Sequence, residues 1–133
     1  IYLIKRTIMG YNSKLWGSQG WHFIHYVCLN YPTNPTEQDA KNYMTFLESL
    51  KNVLPCEICS HNWAEKMEKT PPDFTNRQKL FEWSVDRHNE INELDGKKVL
   101  SYEEALEVIQ KRSIFVLSDK KFSMQHKRLK KYV

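Results

Sequence analysis

The sequence predicts an all-α protein: a bundle of four helices with a shorter fifth. Three observations carry this. Apolar residues recur at helical spacing almost throughout, prolines and capping residues punctuate the chain at helix-sized intervals, and the alternating pattern of strands is nearly absent. At 133 residues the chain is one domain's worth, enough to bury a modest core.

The opening IYLIKRTIMG is apolar but broken by Lys5 and Arg6, with no small-residue cleavage site, so it reads as a short extension over residues 1–14 and no secretion signal is expected. The first helix lies in LWGSQGWHFIHYVCLNYP, where Trp21, Ile24, His25 and Cys28 form one stripe; Pro32 and Pro35 close it. Thr36 offers an N-cap for EQDAKNYMTFLESLKNVL, with its stripe at Tyr43, Phe46, Leu47, Leu50 and Leu54. Pro55 separates this helix from a third, which opens at the pair Cys56 and Cys59 and runs through CEICSHNWAEKMEK to the break at Pro71 and Pro72. In NRQKLFEWSVDRHNEINELDG, Phe81, Val85, His88 and Asn92 share a face, and Gly96 is a natural C-terminal stop. Ser101 and Glu104 form a capping box for a last helix reaching about Lys111.

Charge is unevenly placed. Residues 111–133 hold eight Lys or Arg against one Asp, a net of +7, which leaves −3 of the chain's +4 for residues 1–110. The basic surplus belongs to the tail SDKKFSMQHKRLKKYV, so nucleic-acid binding by the domain body is not expected. No apolar run approaches the roughly 20 residues of a membrane span.

Three cysteines exclude a disulfide-rich scaffold. In LPCEICSHNW the pair Cys56 and Cys59, with His61 behind it, reads as half a zinc site, a redox disulfide, or two core cysteines. Structural zinc needs four ligands, and a second ligand pair is missing; His22 and His25 carry no such signature, so no metal is expected. The redox reading has a physical basis, because a helix N-terminus stabilises a thiolate and lowers its pKa. A thioredoxin fold is excluded by the absence of a βαβ pattern.

His88 and Asn92 sit four apart on an apolar face, and His25 with Trp21 repeats the pattern on the first helix. Polar groups there need partners or cost a few kcal/mol each. They bond either to neighbouring helices or to a planar heterocycle with polar edges. The four glycines make neither G-x-G-x-x-G nor a P-loop, so a Rossmann site is ruled out. Phosphates of any flavin held by a bundle would have to meet side chains such as Arg87, Lys97 or Lys98.

Together WGSQGWHFIHYV, LPCEIC, the Asn62–Trp63 step and WSVDRHNEINELDGK resemble the Erv/ALR family of FAD-linked sulfhydryl oxidases, collinearly from about Trp16 to Tyr102. The resemblance implies a four-helix bundle with a short crosswise fifth helix holding FAD, the oxidase domain falling at residues 15–113 and a basic tail at 114–133. It implies that Cys56 and Cys59 are the catalytic disulfide, Cys56 attacked by incoming thiolate and Cys59 nearest the flavin. By the same resemblance Gly17, Trp21 and His25 contact FAD from the first helix, and Asn62 and Trp63 lie one turn past the disulfide. Trp83, His88, Asn89, Ile91 and Asn92 match contacts of the fourth helix, Lys97 a phosphate contact and Tyr102 an aromatic near the adenine. Electrons would pass from a thiol-bearing protein, or a dithiol relay protein, through FAD to oxygen, giving hydrogen peroxide.

The chain departs from cellular members in having no cysteine after Cys59, hence no second structural disulfide and no shuttle pair, and in carrying Tyr26 where the family has Thr. This form is similar to the sulfhydryl oxidases of large DNA viruses. With no secretion signal visible, an intracellular setting is expected: host cytoplasm or virion if viral, the mitochondrial intermembrane space if cellular. Family members are usually homodimers through the first two helices, and the aromatics Tyr26, Tyr31, Tyr43 and Phe46 suit either that role or core packing. The competing readings are an inactive helical dimerisation or partner-binding module on the same scaffold, and a zinc-stabilised helical domain.

Overall fold

The computed structural model describes residues 10–118, with side chains through Arg112; the tail expected at 114–133 lies outside the described residues apart from the backbone of 114–118. Five helices occur in the expected order: α1 Ser13–Leu29, α2 Glu37–Val53, α3 Glu57–Lys69, α4 Arg77–Leu94 and α5 Tyr102–Ser118. The chain divides after Lys97 into two units, the first holding α1 to α4 and the second α5.

Side chains fix most of the starts. Asn12 caps α1 by accepting the Lys14 N–H, and Asn76 caps α4 by accepting the Lys79 N–H, each at 2.9 Å. Thr36 and Asp39 make a reciprocal box at α2. At α5 the Glu104 N–H donates to Ser101 Oγ at 3.1 Å and the Ser101 N–H to the Glu104 carboxylate at 3.0 Å. Two ends differ from expectation. Helix α1 stops at Leu29, short of Pro32, where the bonding tightens: the Asn30 N–H is shared between the Tyr26 and Val27 carbonyls and the Tyr31 N–H goes three residues back, to Cys28 O at 3.2 Å. Helix α5 runs on past Lys111 to Ser118, so it is as long as α1 rather than short.

In the first unit α1 packs on α4 and α2 on α3. The core joins all four helices through Ile24, Cys28, Leu47, Trp63, Met67, Leu80 and Trp83, with Tyr31 from the loop after α1. Burying side chains of this size stabilises by roughly 1.5–3 kcal/mol each. Tyr31 is fully buried, donates to the Phe74 carbonyl at 2.9 Å and meets Tyr43 edge-on. Those two tyrosines therefore serve the core. The indole N–H of Trp63 donates to Leu47 O and that of Trp83 to Thr70 O, both at 2.8 Å, which ties α3 to α2 and α4 to the end of α3.

Candidate functional site

Cys56 and Cys59 are joined as a disulfide at the start of α3. Pro55 stops the preceding helix, and Cys56 is the N-cap, extended at φ −156°, ψ 118°. Its Sγ accepts the Cys59 N–H at 3.2 Å. The bridge therefore sits at the positive end of α3, where negative charge on Cys56 Sγ is favoured. Both cysteines are half-buried, while Ile58 between them is 51% exposed, so the bridge can be reached by another chain. His61 is exposed and stands outside the cleft described next.

The segment before α1 is pinned against this turn. Gly10 and Cys56 form an isolated antiparallel bridge, and the Tyr11 N–H donates to Pro55 O at 2.6 Å. Gly10 has φ +75°, and a Cβ there would lie 2.7 Å from Pro55 O, so any side chain is excluded by both conformation and space.

The disulfide opens onto a cleft of about 1600 Å³ within the first unit. Of the residues expected at the site, Gly17, Trp21, Asn62, Trp63, Trp83, His88, Ile91, Asn92 and Lys97 line it together with Cys56 and Cys59. The N–H groups of Trp63 and Trp83 are taken by backbone carbonyls, so what these indoles offer the cleft is apolar. Gly17 has no packing reason to be glycine: a Cβ would meet only the Ser13 Cβ, at 3.9 Å. Asn89 and His25 are not in the lining, and Tyr102 belongs to the second unit. Of the proposed phosphate partners, Arg87 and Lys97 line the cleft, whereas Lys98 pairs with Glu104 at 2.9 Å.

His25 lies behind His88. Its Nε2 is 3.0 Å from His88 Nδ1, and its Nδ1 is 2.9 Å from Ser84 Oγ. Trp21 stacks on His88 at 4.7 Å with ring planes 7° apart. Burial, then the nearby charges of His88 and His22, pushes His25 down to about 3; burial, then His22 and Lys97, brings His88 down to about 4. Both are neutral near pH 7. Cys28, on the same stripe, is fully buried and pushed up to about 12 mainly by that burial, which leaves it chemically inert.

Three features of the cleft were not expected. Arg87 Nη2 pairs with Glu90 at 2.8 Å and Glu90 with Lys66 at 3.0 Å, linking α3 to α4, while Arg87 Nε and Nη1 are buried without an acceptor among the described residues. Ser84 underlies His25. Tyr11, Asn12, Ser13 and Lys14, read from the sequence as part of an extension, line the cleft. Helical spacing places Arg87 and Glu90 on one side, but nothing in a single sequence brings Lys66 or His25 to them.

The chain matches the Erv1 / Alr family model over residues 18–112. It is 46% identical over 99 residues to the probable FAD-linked sulfhydryl oxidase R368 of Acanthamoeba polyphaga mimivirus, an alignment covering 72% of this chain and 69% of that protein. It is 28% identical over 76 residues to the mitochondrial FAD-linked sulfhydryl oxidase ERV1 of Saccharomyces cerevisiae, covering 57% of this chain and 40% of that one. The fold is that of the crystal structure of the FAD-binding domain of Erv1 from the same yeast, with TM-score 0.67 and 24% identity over 70% of this chain and 89% of that chain. A disulfide at a helix N-terminus, an aromatic cleft beside it and a family model spanning most of the sequence agree: the chain belongs to the Erv1/Alr family.

Proposed function

We propose that the chain is an FAD-dependent thiol oxidase that forms disulfide bonds in protein substrates. The observation that carries this is the shared cleft, in which Cys56 and Cys59 open onto a wall built from Trp21, Trp63 and Trp83. Among its relatives, those from mimivirus and yeast bear the name FAD-linked sulfhydryl oxidase.

The residues present fit that cofactor. At about 1600 Å³ the cleft exceeds the roughly 300–1,000 Å³ of small-molecule sites and suits a dinucleotide. Indole faces and Ile91 would hold a flat ring, with Asn62, His88 and Asn92 at its polar edge. Arg87 and Lys97 supply positive charge for a diphosphate, Arg87 with two buried donors that have no acceptor among the described residues. Gly17 leaves room for close approach to α1. His25 acts through His88; Asn89 and Tyr102 join the proposal on family resemblance.

A substrate thiolate attacks Cys56 Sγ, the Cys56–Cys59 bond breaks and Cys59 leaves as a thiolate at the positive end of α3. A second substrate thiol attacks the mixed disulfide and releases Cys56. The substrate is thereby oxidised by two electrons and the pair reduced to a dithiol. When bound, FAD supplies the two-electron acceptor that restores the disulfide and delivers the electrons to oxygen as hydrogen peroxide. The electron donor is a thiol-bearing protein or a dithiol relay protein.

The reading includes a homodimer. On α1, Leu15 (72% exposed), Phe23 (59%) and Tyr26 (39%) lie along one outward face, with Phe46 of α2 edge-on to Phe23. Residues 15–113 are its oxidase domain, and an intracellular setting in host cytoplasm or virion goes with the viral likeness alone.

The visible absorption spectrum tests the reading. The purified protein is expected to show a flavin spectrum that bleaches with an anaerobic dithiol and returns with air. Cys59→Ser is expected to keep the flavin and lose turnover. A Cys59→Ser protein oxidising dithiothreitol at the parent rate would show that another sulfur does the work. A folded, colourless chain that takes up no FAD would remove the oxidase reading.

A further inference from the structure

We infer that Ser84 is a positioning residue of the cleft: through His25 it fixes His88 as the tautomer with its proton on Nδ1, leaving Nε2 as a bare acceptor for a donor group of the occupant. The inference deepens the proposed function, since the occupant there is FAD and the donor one of its hydroxyl or N–H groups.

The direction of the chain of bonds follows from its far end. Ser84 Oγ lies 2.7 Å from the Phe81 carbonyl, which can only accept, so Ser84 spends its proton there. The Cys28 thiol also neighbours Ser84, but sulfur is a weak acceptor and does not compete with a carbonyl at that distance. Having donated, Ser84 Oγ can only accept from His25 Nδ1 at 2.9 Å, so the His25 proton is on Nδ1. His25 is 5% exposed and held neutral, so its Nε2 is bare. The 3.0 Å contact to His88 Nδ1 then requires His88 to be the donor. One proton position at a buried serine thus sets the polarity of a ring on the cleft wall.

Two further facts keep the ring from escaping this assignment. Trp21 stacks nearly parallel on His88, so the ring plane is held, and a flip about it would break the bond to His25. Ser84 itself is fully buried in the middle of α4, where water cannot substitute for its hydroxyl. A serine at such a position is a poorer helix former than alanine and contributes no apolar packing, so its hydroxyl needs a reason.

The test is imidazole ¹⁵N NMR on the full chain near neutral pH, which distinguishes protonated from bare ring nitrogens at each histidine. His25 and His88 are both expected as Nδ1–H tautomers. In Ser84→Ala, His25 loses its acceptor and His88 is expected to shift wholly or partly to Nε2–H. FAD binding should weaken about five- to tenfold, the loss of one hydrogen bond, and Ser84→Thr should restore both. An unsubstituted protein with His88 protonated on Nε2 overturns the inference, and so does a folded Ser84→Ala that keeps the original tautomers. If Ser84→Ala does not fold, the unsubstituted protein decides alone. A chain that shows both Nδ1–H tautomers but takes up no FAD supports the relay and removes only the functional reading.

Discussion

Gly17 stands in the body of α1, where glycine is less favourable than alanine by roughly 0.5–1 kcal/mol, and among the described residues nothing closer than the Ser13 Cβ at 3.9 Å stands where its Cβ would be. Gly17→Ala is therefore expected to act with opposite signs on two observables. Without cofactor the protein should gain about that much stability, seen as a higher urea midpoint; FAD affinity should fall at least about tenfold as the new methyl takes contact space. A variant losing both, or neither, would show that Gly17 answers to something other than the cleft. At this scale the sequence exposed residue types well and directions poorly. That Trp21, His88 and Asn92 face one place followed from spacing and type. That Trp63 and Trp83 turn their N–H groups to carbonyls, and that Ser84 rather than the cofactor satisfies His25, depends on distances between helices.

Helices α1 and α4 are coupled through the buried ring of His25 and the half-buried ring of His88, and this coupling carries a pH dependence. Unfolded histidines titrate near 6.5, while His25 falls to about 3 and His88 to about 4 in the fold, burial being the main cause for each. Between those values and 6.5 the unfolded chain binds more protons than the folded one. Stability is therefore expected to be insensitive to these groups above about pH 6.5 and to fall as pH drops from there through about 4. Urea unfolding at about pH 7 and about pH 5 checks this: a lower midpoint at the acid value with unchanged slope is the expected result, and equal midpoints contradict it. Element starts were the most legible feature of the sequence, because Thr36, Ser101 and the proline before Cys56 act within a few residues of themselves. Ends were less so. The last turn of α1 is set by backbone bonds that proline positions do not encode, and no proline or glycine after Lys111 marks where α5 ends at Ser118.

At the scale of the whole molecule, Leu15, Phe23 and Tyr26 are exposed along one face of α1, and the proposed homodimer would cover them. Phe23→Glu is expected to give a monomer by analytical ultracentrifugation while the flavin spectrum persists; an unsubstituted protein that sediments as a monomer at micromolar concentration would refute the dimer. Fold class and family were legible because both rest on ordered local motifs. The participation of residues 11–14 in the cleft was not, because it depends on the pairing of Gly10 with Cys56, a contact between distant positions that leaves no periodic trace. All four of the chain's tryptophans, Trp16, Trp21, Trp63 and Trp83, stand around one cleft. Its tryptophan emission is consequently a label-free gauge of that cleft. An occupant absorbing where indoles emit should extinguish most of the fluorescence in a single saturable titration, and urea should return it. A titration that left most of the emission intact would mean that the ligand sits elsewhere.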